Sequence, residues 1–133
     1  MRKIEHLGIA VKDIEASNKL FTALMGAGPY KSEAVESEGV ITSFFANGPN
    51  KIELLQATNP DSPIAKFVEK RGEGIHHIAF DVEDIYAEIE RLKGEGFQMI
   101  HDTPKDGADN KLIAFLHPKG TNGVLIELCQ EKK

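Results

Sequence analysis

The chain has 133 residues, enough for one domain or two small fused halves at roughly 100–200 residues per domain. Hydrophobic residues make up 41% and charged residues 28%, with 16 basic against 21 acidic side chains and a formal charge of −5. That balance excludes a disordered or fibrous chain, and it argues against nucleic-acid or anionic-membrane partners, which need a cationic face.

The opening Met1-Arg2-Lys3-Ile4-Glu5-His6 reads as a strand and not as a signal sequence. No apolar stretch approaches the roughly 20 residues that a bilayer helix needs, so a cytoplasmic protein is expected. Across 3–11, Leu7, Ile9 and Val11 share one face of a strand while His6, Gly8 and Ala10 share the other. Asp13 is placed to cap a helix whose apolar stripe is Ile14, Phe21, Leu24 and Met25, and Gly26 and Gly28 end it. Strands are predicted over about 30–35, 39–46 and 51–57. Asn59-Pro60-Asp61-Ser62-Pro63 then forms a turn, with Ser62 capping a linking helix that runs to about Arg71.

The pattern then starts again. A strand over 75–82 sets Ile78, Phe80 and Val82 against His77, Ala79 and Asp81. Asp84 caps a helix carrying Ile85, Ile89 and Leu92, which Gly94 and Gly96 terminate, and strands follow at about 97–101, 111–116 and 123–129. An offset of 71 residues pairs His6 with His77, Val11 with Val82, Asp13 with Asp84, Ile14 with Ile85 and Phe44 with Phe115. An offset of 74 pairs Lys51-Ile52-Glu53-Leu54 with Leu125-Ile126-Glu127-Leu128, so the second copy has a loop three residues longer. The chain reads as a duplicated βαβββ module, an α+β protein within one domain over 1–133: module 1 over about 1–58, a linking helix over about 62–72 and module 2 over about 74–130.

His6, Glu53, His77 and Glu127 hold corresponding places in the two copies. A lone histidine on a strand is usually just a hydrogen-bonded polar residue, and a lone glutamate usually faces solvent. Glu53 and Glu127, however, sit in otherwise apolar strands, where an unpaired buried charge is costly. If a pseudo-twofold axis relates the copies, their sheets curl together and bring the four side chains to one centre. Two imidazoles and two carboxylates suit a divalent cation such as Co²⁺, Mn²⁺, Ni²⁺ or Zn²⁺. An octahedral ion would keep two positions for water or substrate, the basis of Lewis-acid catalysis. His76 should face away from His77 and pack, His101 and His117 read as surface residues, and Cys129 reads as a buried hydrophobe that has no disulfide partner.

Glu5-His6-Leu-Gly-Ile-Ala-Val, Lys51-Ile-Glu-Leu-Leu, Asp61-Ser-Pro-Ile-Ala-Lys-Phe, Gly74-Ile-His-His-Ile-Ala-Phe, Phe115-Leu-His-Pro-Lys and Gly123-Val-Leu-Ile-Glu-Leu resemble segments of the vicinal-oxygen-chelate superfamily. That superfamily includes glyoxalase I, extradiol dioxygenases and metal-free antibiotic-binding proteins. More narrowly, the chain resembles the methylmalonyl-CoA epimerase family. The resemblance implies two tandem βαβββ modules forming a curled mixed sheet around a metal held by His6, Glu53, His77 and Glu127. It also implies an isomerase that interconverts (R)- and (S)-methylmalonyl-CoA through a metal-stabilised enolate, and a homodimer.

In this reading Glu127 is the catalytic acid–base, while Thr42, Lys51 and Lys119 meet the acyl-CoA substrate, with Lys111 a further candidate for its phosphates or carboxylate. Some members of the family carry a glutamate as second base after a Gly-Val pair. Here Gly39-Val40 leads to Ile41-Thr42-Ser43-Phe44, with Thr42 at that place. Either another group, such as Glu38 or a bound water, supplies the second proton, or the substrate differs. The rival readings are a glutathione-dependent glyoxalase I-like lyase and a non-catalytic binding protein of the same fold. Against the first, the last hairpin reads His117-Pro-Lys-Gly-Thr-Asn-Gly and not Asp-Pro-Asp-Gly.

Overall fold

The computed structural model describes residues 1–132, which form two compact units. One spans His6–His76; the other joins Met1–Glu5 to the chain from His77 onward. Among the described residues, no helix is long and apolar enough to cross a membrane.

In chain order the first module comprises β1 (Lys3–Ala10), α1 (Ile14–Met25), β2 (Lys31–Val35), β3 (Val40–Asn47) and β4 (Asn50–Ala57), followed by α2 (Pro63–Arg71). Its strands lie in the order β2–β3–β4–β1. β2, β3 and β4 pair antiparallel, whereas β4 pairs parallel with β1. The register sorts the side chains by face: residues directly opposite one another share a face, as do alternate residues along a strand. Ile9, Phe45, Ile52 and Leu54 turn towards α1 and pack with Val11, Ile14, Phe21 and Met25. The other face carries His6, Gly8, Thr42, Phe44 and Glu53, and α2 covers one end of it by packing Ile64, Phe67 and Val68 against Ala10, Val40 and Leu55.

The second module repeats this plan with β5 (Gly74–Asp81), α3 (Ile85–Gly94), β6 (Lys105–Asp106), β7 (Lys111–Leu116) and β8 (Ile126–Glu131). Its order is β5–β8–β7–β6, with β5 and β8 parallel and the remaining pairs antiparallel. Ile85, Ile89 and Leu92 of α3 pack on Ala114, Leu116 and Leu128. Arg2 belongs to this unit, with its backbone N–H and its Nε each 2.8 Å from oxygens of Asp81.

The duplication extends to hydrogen bonds. Asp13 Oδ1 accepts from the N–H groups of Glu15 and Ala16 at 3.1 and 3.2 Å, and Asp84 Oδ1 accepts from Tyr86 and Ala87 at the same distances. The Ile14 N–H donates to Gln56 Oε1, and the Ile85 N–H to Gln130 Oε1, each at 2.7 Å. These contacts satisfy amides that have no partner within the helix.

One predicted element differs. The segment 97–101 is not a regular strand: Met99 forms an isolated bridge to Leu116, and the flanking bonds are Ile100 N–H to Phe115 O and His117 N–H to Gln98 O. The polar run His101-Asp102-Thr103 and then Pro104, which lacks an amide hydrogen, stop the ladder from extending. The outer strand is instead the two-residue β6. The longer loop of the second copy is used for a 3₁₀ turn over Pro118–Gly120.

Gly39 immediately precedes β3 at φ +65°, and a Cβ there would lie 2.7 Å from Ser62 Cβ and 2.9 Å from Asn59 Nδ2. Both the left-handed backbone and the crowding oppose any side chain. Gly39→Ala is expected to lower stability by about 1–3 kcal/mol, read from the urea midpoint at unchanged slope.

Candidate functional site

Each unit builds one histidine–glutamate pair by the same route. In the first, His6 lies opposite Lys51 in the parallel β1–β4 ladder, and Glu53 is two residues further along β4 on the same face. The diagonal brings His6 Nδ1 within 3.0 Å of Glu53 Oε2, with both residues 5% exposed. Gly8 lies opposite Glu53 on the β1 side and Phe44 on the β3 side. A neighbour without a side chain thus leaves room beside the carboxylate, and an aromatic ring bounds it on the other flank.

In the second unit His77 Nε2 stands 3.0 Å from Glu127 Oε1, and both residues are again 5% exposed. Ala79 replaces Gly8 as the small neighbour, and Phe115 replaces Phe44. Phe115 also meets the His77 ring edge-on, with centroids 6.0 Å apart at 89°. The sequence reading missed a contact of Cys129: its Sγ donates to Glu127 Oε2 at 3.3 Å. Cys129 is fully buried beside Ala79 and Ile113, so it is a hydrophobe with a donor aimed at the carboxylate. The signal was available in the spacing, because residues two apart on a strand share a face.

The remaining candidates separate by position. Thr42 is 1% exposed on the Glu53 face, and its Oγ1 has no hydrogen-bond partner among the described residues. Ser43 Oγ is equally unpartnered but faces the α1 side. Lys51 shares the His6 face at half-burial, and Lys119 is exposed in the 3₁₀ turn. Lys111 is 8% exposed at the start of β7. His76 packs edge-on against Phe67 with centroids 5.0 Å apart. His101 is exposed, and His117 Nδ1 accepts from the Lys119 N–H, capping the 3₁₀ turn.

The donor set fits a divalent ion. Imidazole nitrogens and carboxylate oxygens are borderline-to-hard ligands of the type first-row divalent ions take. The spacing fits as well. Two adjacent octahedral ligands, each about 2.1 Å from one ion, sit about 3 Å apart, and each pair is held at 3.0 Å.

Residues 5–115 match the family described as the glyoxalase/bleomycin resistance protein/dioxygenase superfamily. The ethylmalonyl-CoA/methylmalonyl-CoA epimerase of Cereibacter sphaeroides is 42% identical over 130 residues, covering 96% of this chain and 97% of its own. The chain belongs to the methylmalonyl-CoA epimerase family. Solved structures of epimerases share its vicinal-oxygen-chelate fold. The Mycobacterium tuberculosis methylmalonyl-CoA epimerase superposes with a TM-score of 0.94 at 32% identity, covering 98% of this chain and 89% of that one. A methylmalonyl-CoA epimerase in complex with methylmalonyl-CoA and NH₄⁺ gives 0.92 at 34% identity, covering 98% and 95%.

Proposed function

We propose that the chain interconverts (R)- and (S)-methylmalonyl-CoA by removing and returning the proton on the carbon between thioester and carboxylate. The observation that carries this reading is the repeated buried His–Glu pair, one in each unit of a chain from the epimerase family. His6, Glu53, His77 and Glu127 would together hold a divalent metal, with Co²⁺ the first choice. When bound, that ion supplies Lewis-acid stabilisation of negative charge on substrate oxygens.

The residues of the chain do the rest. Glu127 exchanges a proton with the substrate carbon, and the thiol of Cys129 on Oε2 orients its carboxylate. Thr42, Lys51 and Lys119 engage the acyl-CoA. Phe44 and Phe115 flank the carboxylates and exclude water beside them, which strengthens every polar contact made there. The working form is a homodimer, as the resemblance implies, and its expected place is the cytoplasm; sedimentation at micromolar concentration reads the assembly.

The experiment that tests the reading is deuterium incorporation at C2 of methylmalonyl-CoA in D₂O, followed by mass spectrometry against a protein-free control. With cobalt, exchange is expected at least 10²-fold above the control, the lower bound for positioned acid–base catalysis, and a chelator should remove it. A metal-loaded protein that exchanges no faster than the control would refute the assignment. Glutathione-dependent turnover of methylglyoxal would point to the lyase instead.

A further inference from the structure

Inversion at one carbon needs proton-transfer groups on two sides of a planar intermediate. Glu127 is one such group, and the place at which a second base stands in some relatives is taken by Thr42. A threonine hydroxyl alone is a poor base. The ladder of the first unit supplies what Thr42 lacks. In the antiparallel β2–β3 pairing Glu33 lies directly opposite Thr42, so the two side chains share a face. The β3–β4 register puts Thr42 opposite Leu55 and Phe44 opposite Glu53, which makes this the face of His6 and Glu53. Among the described residues of β2 to β4, the carboxylates on that face are Glu53 and Glu33.

Three further observations point the same way. Thr42 Oγ1 is buried and has no hydrogen-bond partner among the described residues. A buried hydroxyl in that state calls for an explanation, and a ligand or a relayed proton provides one. Glu33 is anchored, with its Oε1 3.3 Å from Lys31 Nζ, and that ammonium lies 5.4 Å from the centre of the Phe44 ring. The carboxylate is therefore held at the edge of the ligand face while keeping access to solvent, from which a proton-transfer group must be reset. Directly opposed residues on neighbouring strands lie about 5 Å apart, within reach of a glutamate side chain. Glu38, in contrast, lies half-buried in the 3₁₀ turn before β3 and has no place in this ladder.

We propose that Glu33, acting through the Thr42 hydroxyl, is the second proton-transfer group of the epimerase. In one direction the C2–H bond breaks and its proton passes to Thr42 Oγ1 while the hydroxyl proton moves on to the Glu33 carboxylate. The electron pair stays on the substrate as the enolate. Protonated Glu127 then returns a proton to the opposite side of C2, leaving Glu33 protonated and Glu127 ionised, and solvent exchange resets both. In the other direction Glu127 takes the proton, and Glu33 supplies one through Thr42. Nothing is oxidised or reduced.

This inference rests on the epimerase reading, and its test separates the two. Wild type, Glu33→Gln, Thr42→Val, Thr42→Ser and Glu38→Gln are compared as metal-loaded proteins, with folding checked by circular dichroism and metal content by elemental analysis. Inversion is followed from each pure stereoisomer, and C2 deuterium uptake is followed in D₂O. Glu33→Gln and Thr42→Val are expected to lose at least 10²-fold in inversion while one stereoisomer still takes up deuterium with retention, because the Glu127 side remains intact. Thr42→Ser keeps the hydroxyl and should restore inversion to within tenfold of wild type.

Inversion in Glu33→Gln within threefold of wild type would overturn the proposal. So would equal loss of inversion and exchange for both stereoisomers, or a large loss confined to Glu38→Gln. If the wild type neither inverts nor exchanges the substrate, the epimerase reading itself fails and takes the relay with it. If the wild type works and the variants do not separate inversion from exchange, only the relay fails.

Discussion

Glu127→Gln is expected to lower kcat/KM for epimerisation by 10³-fold or more. General acid–base catalysis by a positioned carboxylate contributes about 10²–10⁴-fold, and an amide cannot take up the proton. The substitution also disturbs the polar pairing on both sides, since Glu127 faces His77 Nε2 through one oxygen and Cys129 Sγ through the other. Coupled C2 exchange and inversion assays read the loss, and elemental analysis separates proton transfer from metal retention. Glu53→Gln is the informative contrast. Glu53 is proposed only to ligate, and an amide oxygen still ligates, so its inversion rate should stay within about tenfold of wild type. Equal losses in the two variants would remove the distinction between acid–base and ligand.

The second large effect concerns stability. Phe45→Ala should destabilise the fold by about 3–5 kcal/mol, the range for a buried aromatic truncated to alanine. Phe45 is 1% exposed on the α1 side of β3, where its cluster includes Val11, Ile14 and Leu54, and its ring lies 6.1 Å from that of Phe21. α1 depends on this cluster, since Ile14 is the one residue buried within the helix itself. With Phe45 gone, the sheet offers the helix a cavity where the ring stood, and the loss should appear as a lower urea midpoint. Phe45→Leu, which refills much of the volume, should recover more than half of it.

Much of this architecture was legible in the residues. Alternation along 3–11 and 75–82 separated the two faces of β1 and β5, because burial on one side imposes a period of two. Asp13 and Asp84 announced helix starts, because a short carboxylate meets the free amides of a first turn. The pairing of each histidine with its glutamate followed from duplication, which tied positions 47 and 50 residues apart into one pattern. Features that depend on the register between strands were not legible. Nothing along the chain says that Glu33 faces Thr42, because that depends on how β2 slides against β3. The segment 97–101 has the composition of a strand but lacks a continuous partner, so local propensity overstated it. Cys129 was placed in the core by its type, although its two-residue spacing from Glu127 already set both on one face of β8.

The glutamine caps bear on how the chain folds. The first turn of α1 closes on an oxygen 42 residues downstream, and that of α3 on one 45 residues downstream. Gln56 and Gln130 lie on the strands that carry Glu53 and Glu127, so neither helix completes its start until the last strand of its own module has docked. Helix nucleation is unfavourable before tertiary contacts form, and closing a loop of this length costs chain entropy before any contact repays it. Each module therefore has a built-in order of assembly, with strand docking ahead of helix completion. The step that finishes the helix is the same step that brings the glutamate alongside its histidine.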